Sequence, residues 1–201
     1  AELSEPVTPI VFWVEKSTPE EIKPMVVKGI EAWNFAFERA GFKNAVVAKI
    51  QPDDADWDAG DIQYNVVRWS SSPRPAFSGY GPSIGNPRTG ELIAADIVQE
   101  FNAIKRGYDY RKIWGWTPES DPLEQWIVSL TMHEVGHTIG LRHNFSASYL
   151  HGPREVHDIS VTGNTTISSI MDYDPINIAP DGMEQGKVFP TDAGDSERGG
   201  L

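Results

Sequence analysis

The sequence predicts an α+β domain: a twisted, mixed β-sheet of about four or five strands, a helix backing it, a second helix buried nearly all round, and an irregular C-terminal subdomain. Three observations carry this. Short β-branched and aromatic runs recur through the first hundred residues, an amphipathic stripe with start and stop signals follows the first of them, and a long apolar stretch leads into a histidine-rich segment beyond which no period is found.

Taken in order, residues 9 to 15 suit a first strand. A helix is expected next, with Thr18 as N-cap, Pro19 at its first position, Glu21 three residues after the cap and Gly41 as the stop. Between them Ile22, Val26, Ile30, Trp33 and Phe37 recur at helical spacing and form one apolar stripe. Residues 45 to 50 and 61 to 69 read as two more strands, the second alternating as a partly buried strand does. The acidic stretch Asp53 to Asp61 between them lacks the glycine and the glutamate that a calcium loop needs, so it reads as a solvated turn and calcium is not expected.

Residues 70 to 90 are rich in Ser, Pro and Gly, a long connection of the kind that carries function. Glu91 to Gln99 then reads as a strand. Residues 101 to 120 mix basic and aromatic side chains, among them Lys105, Arg106, Tyr108, Tyr110, Arg111, Trp114 and Trp116, and are read as a surface helix and loop over the core. Asp121, Pro122 and Glu124 open the next helix, whose Leu123, Trp126, Ile127, Val128, Leu130, Met132, Val135 and Ile139 leave few positions for water. From Asn144 to Ser168 there is no clear period. His151 and His157 fall in that stretch and are read as structural, because a second metal site needs further ligands nearby. Asn144 and Asn164 each open an Asn-x-Ser/Thr triplet. Residues 175 to 190 read as loop, with a frayed Asp/Gly/Ser-rich end.

A chain of 201 residues is long enough for one well-packed domain, with an upper subdomain over about 1–140 and a lower one over about 141–201. The formal charge of −12 excludes nucleic acid as the expected partner, since phosphate neutralisation needs clustered Lys and Arg. No apolar run approaches a membrane span, and the absence of cysteine fits either redox environment. A chain that starts at Ala1 and shows no closing helix is expected to be a piece of a longer protein and a monomer as that piece.

The chemistry concentrates in residues 133 to 143, His-Glu-Val-Gly-His-Thr-Ile-Gly-Leu-Arg-His. Each helical residue advances about 100°, so His133 and His137 share a face one turn apart and can grip one ion. Glu134 points about 100° away, which suits a base acting on water better than a further ligand. Gly140 can take positive φ, end the helix and return His143 to the metal. Three neutral nitrogens with an open fourth position describe a catalytic zinc site. Two histidines around a glutamate also occur by chance, and the glycine and third histidine separate this segment from that case.

Downstream lies Ser169-Ile170-Met171-Asp172-Tyr173, and with it the chain resembles the metzincin clan of zinc endopeptidases, which joins the extended histidine motif to a turn carrying a methionine beneath the zinc. The Ser-Ile-Met-x-Tyr form is most similar to the astacin and serralysin branches, which makes Tyr173 the counterpart of a tyrosine close to the metal. Asn144, after the third histidine, is not the glutamate of astacins, the aspartate of adamalysins or the serine of matrixins. The segments at 9–14, 61–69, 87–91 and 171–173 instead look like those of large bacterial zinc-dependent metalloproteases, whose metzincin-like domain is one part of a much longer chain.

The resemblance runs over about residues 9 to 190. It implies a metzincin-like (zincin) fold, a single metalloprotease catalytic domain over 1–201 and one catalytic Zn2+ held by His133, His137 and His143. Glu134 is then the general base and acid, Met171 the methionine of a structural Met-turn, and Tyr173 a helper at the oxyanion or a displaceable ligand. It implies a peptide or protein substrate, with the Leu92 to Val98 strand as the sheet edge that pairs with it. It also implies a secreted, periplasmic or envelope location in a bacterium. Two other readings stand beside it: an idle zinc-binding domain that recognises peptides within a larger protein, against which Glu134 and the open position argue, and a deformylase-like hydrolase, which would need a cysteine ligand.

Overall fold

Strands form where β-branched and aromatic residues cluster, and the first of them becomes the spine of the sheet. The computed structural model describes residues 2–115, 122–163 and 165–194. The expected cap at Asp121, Trp116 of the basic and aromatic stretch, the triplet at Asn164 and the tail from 195 onward lie outside the described residues. Strand β1 (Ile10–Val14) pairs in parallel with β2 (Val46–Ile50) on one side, Ile10 opposite Val46, and with β3 (Asn65–Ser70) on the other, Phe12 opposite Asn65. Two short strands follow, β4 (Gly79–Tyr80) and β5 (Ser83–Gly85), and then the long β6 (Leu92–Glu100). The six-stranded sheet runs in the order β2-β1-β3-β6-β4, with β5 also on β6.

Two expectations about strands are corrected here. Asp61 to Tyr64 form a turn closed by the Tyr64 N–H on the Asp61 carbonyl at 3.0 Å, and Ile62 is 59% exposed. The strand proper begins at Asn65, and its Val66 and Val67 are both buried, as a parallel strand covered on two faces requires. Nor is Leu92 to Val98 the edge. β6 is paired in parallel with β3, Val66 opposite Asp96, and antiparallel with β4 and β5, Tyr80 opposite Val98. The edge belongs to β4 and β5, which a Ser/Pro/Gly-rich segment disguised as connection.

The expected single helix is two, α1 (Lys23–Glu31) and α2 (Asn34–Arg39). Thr18 and Pro19 begin only a turn, closed by Lys23 N–H on the Pro19 carbonyl at 3.1 Å. Pro24 has no N–H to continue that turn and is tolerated only near a helix start, so α1 begins at Lys23. The stripe itself holds: Ile22, Val26, Ile30 and Trp33 are fully buried and Phe37 packs against them. Gly41 ends α2 at φ 96°, as read from the sequence.

Helix α3 (Asn102–Trp114) buries Ala103, Ile104 and Gly107, turns Lys105, Arg106 and Lys112 outward and leaves Arg111 half-buried. Helix α4 (Leu123–Thr138) buries every residue from Ile127 to Gly136, the all-round burial its composition predicts. Its packing against α1 is fixed at the far end by Trp33, whose Nε1 donates to the Met132 carbonyl at 3.1 Å. After α4 the chain makes two short 3-10 turns, Ala147–Tyr149 and Glu155–His157, and one four-residue helix, α5 (Ile159–Thr162). Residues 173 to 194 form loops and turns. Among the described residues no helix is long and apolar enough to cross a membrane.

Candidate metal centre and active site

Helix α4 delivers His133 and His137 on one face, and its termination delivers the third imidazole. Gly140 sits at φ 101°, where the Gly140 N–H reaches the His137 carbonyl at 3.1 Å and the Leu141 N–H reaches the Gly136 carbonyl at 3.0 Å. This paired-bond ending needs a left-handed residue, which glycine adopts without strain. The chain then turns back, and the Asn144 N–H donates to the Met171 carbonyl at 3.0 Å, tying the histidine segment to the downstream turn. His143 Nε2 thereby stands 3.2 Å from His133 Nε2 and 3.1 Å from His137 Nε2.

The tautomers follow from the second nitrogens. His133 Nδ1 donates to the Ile170 carbonyl at 2.8 Å and His137 Nδ1 to the Leu141 carbonyl at 3.1 Å, so a proton on each Nδ1 leaves each Nε2 a bare lone pair. Burial drives the His133 pKa down to about 4, with the other two rings adding to the effect, and burial likewise lowers His143. Neutral imidazoles facing one point are what a zinc ion takes. With Zn–N near 2.0–2.1 Å, tetrahedral ligands stand roughly 3.3 Å apart, close to the 3.2 and 3.1 Å of the two pairs that include His143. Among the described residues these three are the one His/Cys/Asp/Glu group whose ligand atoms all lie within 4.8 Å of one another. The donor set therefore fits zinc.

Glu134 lies one step round the helix and is 5% exposed. Burial pushes its carboxyl up to about 7, opposed by a hydrogen bond from the Gly81 N–H. The edge strand reaches that close through two glycines. A Cβ on Gly79 would stand 2.7 Å from Glu134 Oε1, and one on Gly81 would stand 2.6 Å from the Glu134 carbonyl oxygen and 3.0 Å from Oε2. Alternate residues of a strand share a face, so Gly79 and Gly81 present a bare backbone to the carboxylate. The sequence reading missed both. The signal was the Gly-Tyr-Gly-Pro run, but only the tertiary approach of β4 to α4 gives it meaning.

Met171 is 1% exposed, and its sulfur presses on Gly136, where a Cβ would collide with it and would also stand 3.0 Å from Trp33 Cζ2. The turn around it is held by Asp172, whose carboxylate accepts the Ser148 N–H at 2.9 Å and the Tyr173 N–H at 2.7 Å. Tyr173 is 67% exposed, with its ring 5.4 Å from that of His133 and 4.5 Å from that of His143. A cavity of about 540 Å³ opens beside these groups, bordered by His133, Glu134 and Tyr173 and by the aromatic walls Tyr110, Trp126 and Phe189. The residues singled out from the sequence thus lie together. His151 and His157 stand apart, on a separate cavity.

Residues 119–195 match the model of a family described as Met-zincin. No curated protein matches. Three solved chains match, among them the structure of myroilysin, which is 12% identical over 95% of this chain and 90% of that one, with a TM-score of 0.39. The family match spans α4, the glycine turn and the Met171 segment. Together with the three-imidazole cluster it fits a metzincin-type zinc metalloprotease.

Proposed function

We propose that the chain is a zinc-dependent endopeptidase, hydrolysing peptide bonds at one ion held by His133, His137 and His143. The observation that carries this reading is the buried Glu134 carboxyl beside three bare Nε2 atoms, because a site that merely stored metal has no use for a proton carrier there. Zinc, when bound, supplies a Lewis acid for the scissile carbonyl and makes water easier to deprotonate. Glu134 removes the proton from the attacking water and returns it to the leaving amine, serving as base and then as acid. The Gly81 N–H and the two glycine contacts hold its carboxylate in place while it does so. Tyr173, whose ring stands beside those of His133 and His143, donates to the oxyanion, and Met171, buried against Gly136, takes no chemical part.

The substrate is an extended peptide lying along β4 and β5. β6 supplies their partner on one side, and the other side has no sheet partner among the described residues. The aromatic-walled cavity beside Glu134 takes an apolar side chain next to the scissile bond. The test is cleavage of a mixed peptide library, with a chelator control. Glu134→Ala is expected to keep its zinc and to lower kcat by roughly 10²–10⁴. Zinc retained with cleavage undiminished assigns the base wrongly, and zinc bound with no peptide cut by the wild type favours an idle peptide-recognition domain.

A further inference from the structure

The second cavity lies behind the wall of the first. It measures about 340 Å³, and Asp174, Pro175 and Ile176 line both. Four residues on it each carry a buried polar side-chain atom with no hydrogen-bond partner among the described residues: His151 Nε2, His157 Nδ1, Asp174 Oδ2 and Asn177 Oδ1. Such atoms are few in a folded protein and each is costly when left unmet, so four around one cavity indicate a ligand.

The chemistry of the four is one-sided. Asn177 Nδ2 donates to the Val156 and Lys187 carbonyls, each at 3.0 Å, which commits its Oδ1 as a free acceptor. Burial pushes the Asp174 carboxyl up to about 7, so a cation seated against it would favour the ionised, accepting form, and each imidazole has a tautomer that presents its unpartnered nitrogen as an acceptor. All four atoms can therefore accept from one donor of positive charge. A bare metal ion would gather its ligands to roughly 3.3–4 Å of one another. Among the described residues His151, His157 and Asp174 do not form a group that could hold a metal ion. A guanidinium, with five N–H donors in a plane and no acceptor, spans such a ring of acceptors, and the Val156, Ile167 and Ile176 walls suit its aliphatic stem. The chain's formal charge of −12 favours basic partners in the same sense.

The geometry points to the cavity of Asp174, Asn177, His151 and His157 as a substrate subsite that takes an arginine side chain, next to the catalytic cavity with which it shares Asp174, Pro175 and Ile176. This rests on the endopeptidase reading for its role, though not for the binding itself. Asp174 and Asn177 are then specificity-determining residues.

Two measurements test it. The first is binding of N-acetyl-argininamide to the Glu134→Ala protein by NMR titration, against the citrulline analogue, which keeps the shape and lacks the charge. Saturable binding of the arginine compound alone, weakened about tenfold or more by Asp174→Asn and also by His157→Gln in protein that keeps its zinc, is the expected result. The second is the arginine-over-citrulline ratio of kcat/KM in matched peptides, with arginine moved through the positions flanking the cut. The ratio is expected to exceed tenfold at one fixed position and to fall toward unity in Asp174→Asn. Equal binding of both amides, or cleavage with no preference for arginine at any position, overturns the subsite. Selective binding with no peptide cut at all leaves the subsite standing and overturns the endopeptidase reading instead.

Discussion

The chain up to Gly140 and the chain after it are held together by different means. In the first, a parallel ladder and an apolar stripe do the work: β1, β3 and β6 carry Phe12, Val14, Val67 and Ile97 into a core closed by Ile22, Val26, Ile30 and Trp33. In the second, regular structure among the described residues amounts to two 3-10 turns and a four-residue helix, and the segment is fixed by side chains reaching backbone. Asp172 ties residue 148 to residue 173, and Asn177 ties residues 156 and 187. A few apolar anchors, Ile170 and Met171 above all, plug this part into the core. The metal centre draws its precision from both. Two ligands come from a helix buried nearly all round, and the third is positioned by a turn whose hold is polar and local.

That contrast can be broken at either end. The largest effect is expected from Trp33→Ala, which removes a fully buried side chain and its bond to the Met132 carbonyl. A loss of about 3–5 kcal/mol in denaturant unfolding is expected, felt by both regions at once. A smaller effect belongs to Glu134. In metal-free protein its pKa is raised from 4.5 to about 7 by burial, so the folded chain holds a proton that the unfolded chain releases. Stability conferred at low pH is therefore lost as pH rises from about 4.5 to 7, by on the order of 3 kcal/mol at most, and Glu134→Gln should flatten that slope in the pH dependence of urea unfolding. Smallest in global terms is Asp172→Ala, at about 1–3 kcal/mol. Its effect should stay local: weaker zinc binding and faster amide exchange around residues 144–149 and 171–173, with the protection of β1, β3 and β6 unchanged. Protection lost across the sheet as well would mean that the two regions are not held separately.

The same contrast explains what the sequence made legible. Periodicity located the helix stripe, α4 and four of the strands, since each buries a face or a run. Pro24 moved the start of the first helix to Lys23, because a missing N–H counts only once the exact first turn is known. β4 and β5 are two and three residues long in a Ser/Pro/Gly-rich segment, too short to show a period, so the sheet edge was placed one strand too far in. The metal centre was readable because its spacing is local: His133, His137, Gly140 and His143 fall within eleven residues. Gly79 and Gly81 were not, because what they do depends on an approach across more than fifty residues of chain. The grouping of His151 and His157 with Asp174 and Asn177 was hidden for the same reason, and the histidines alone carried no sign of it.

The claim on which the rest depends is that three imidazoles, one of them brought in by the Gly140 turn, hold a single ion. The zinc content of purified His143→Ala, measured by atomic emission beside the wild type with folding checked by circular dichroism, tests it most directly. About one zinc per wild-type chain, and nearly none in a folded His143→Ala chain at limiting zinc, is the predicted result. Full zinc retained in His143→Ala would contradict the three-histidine centre.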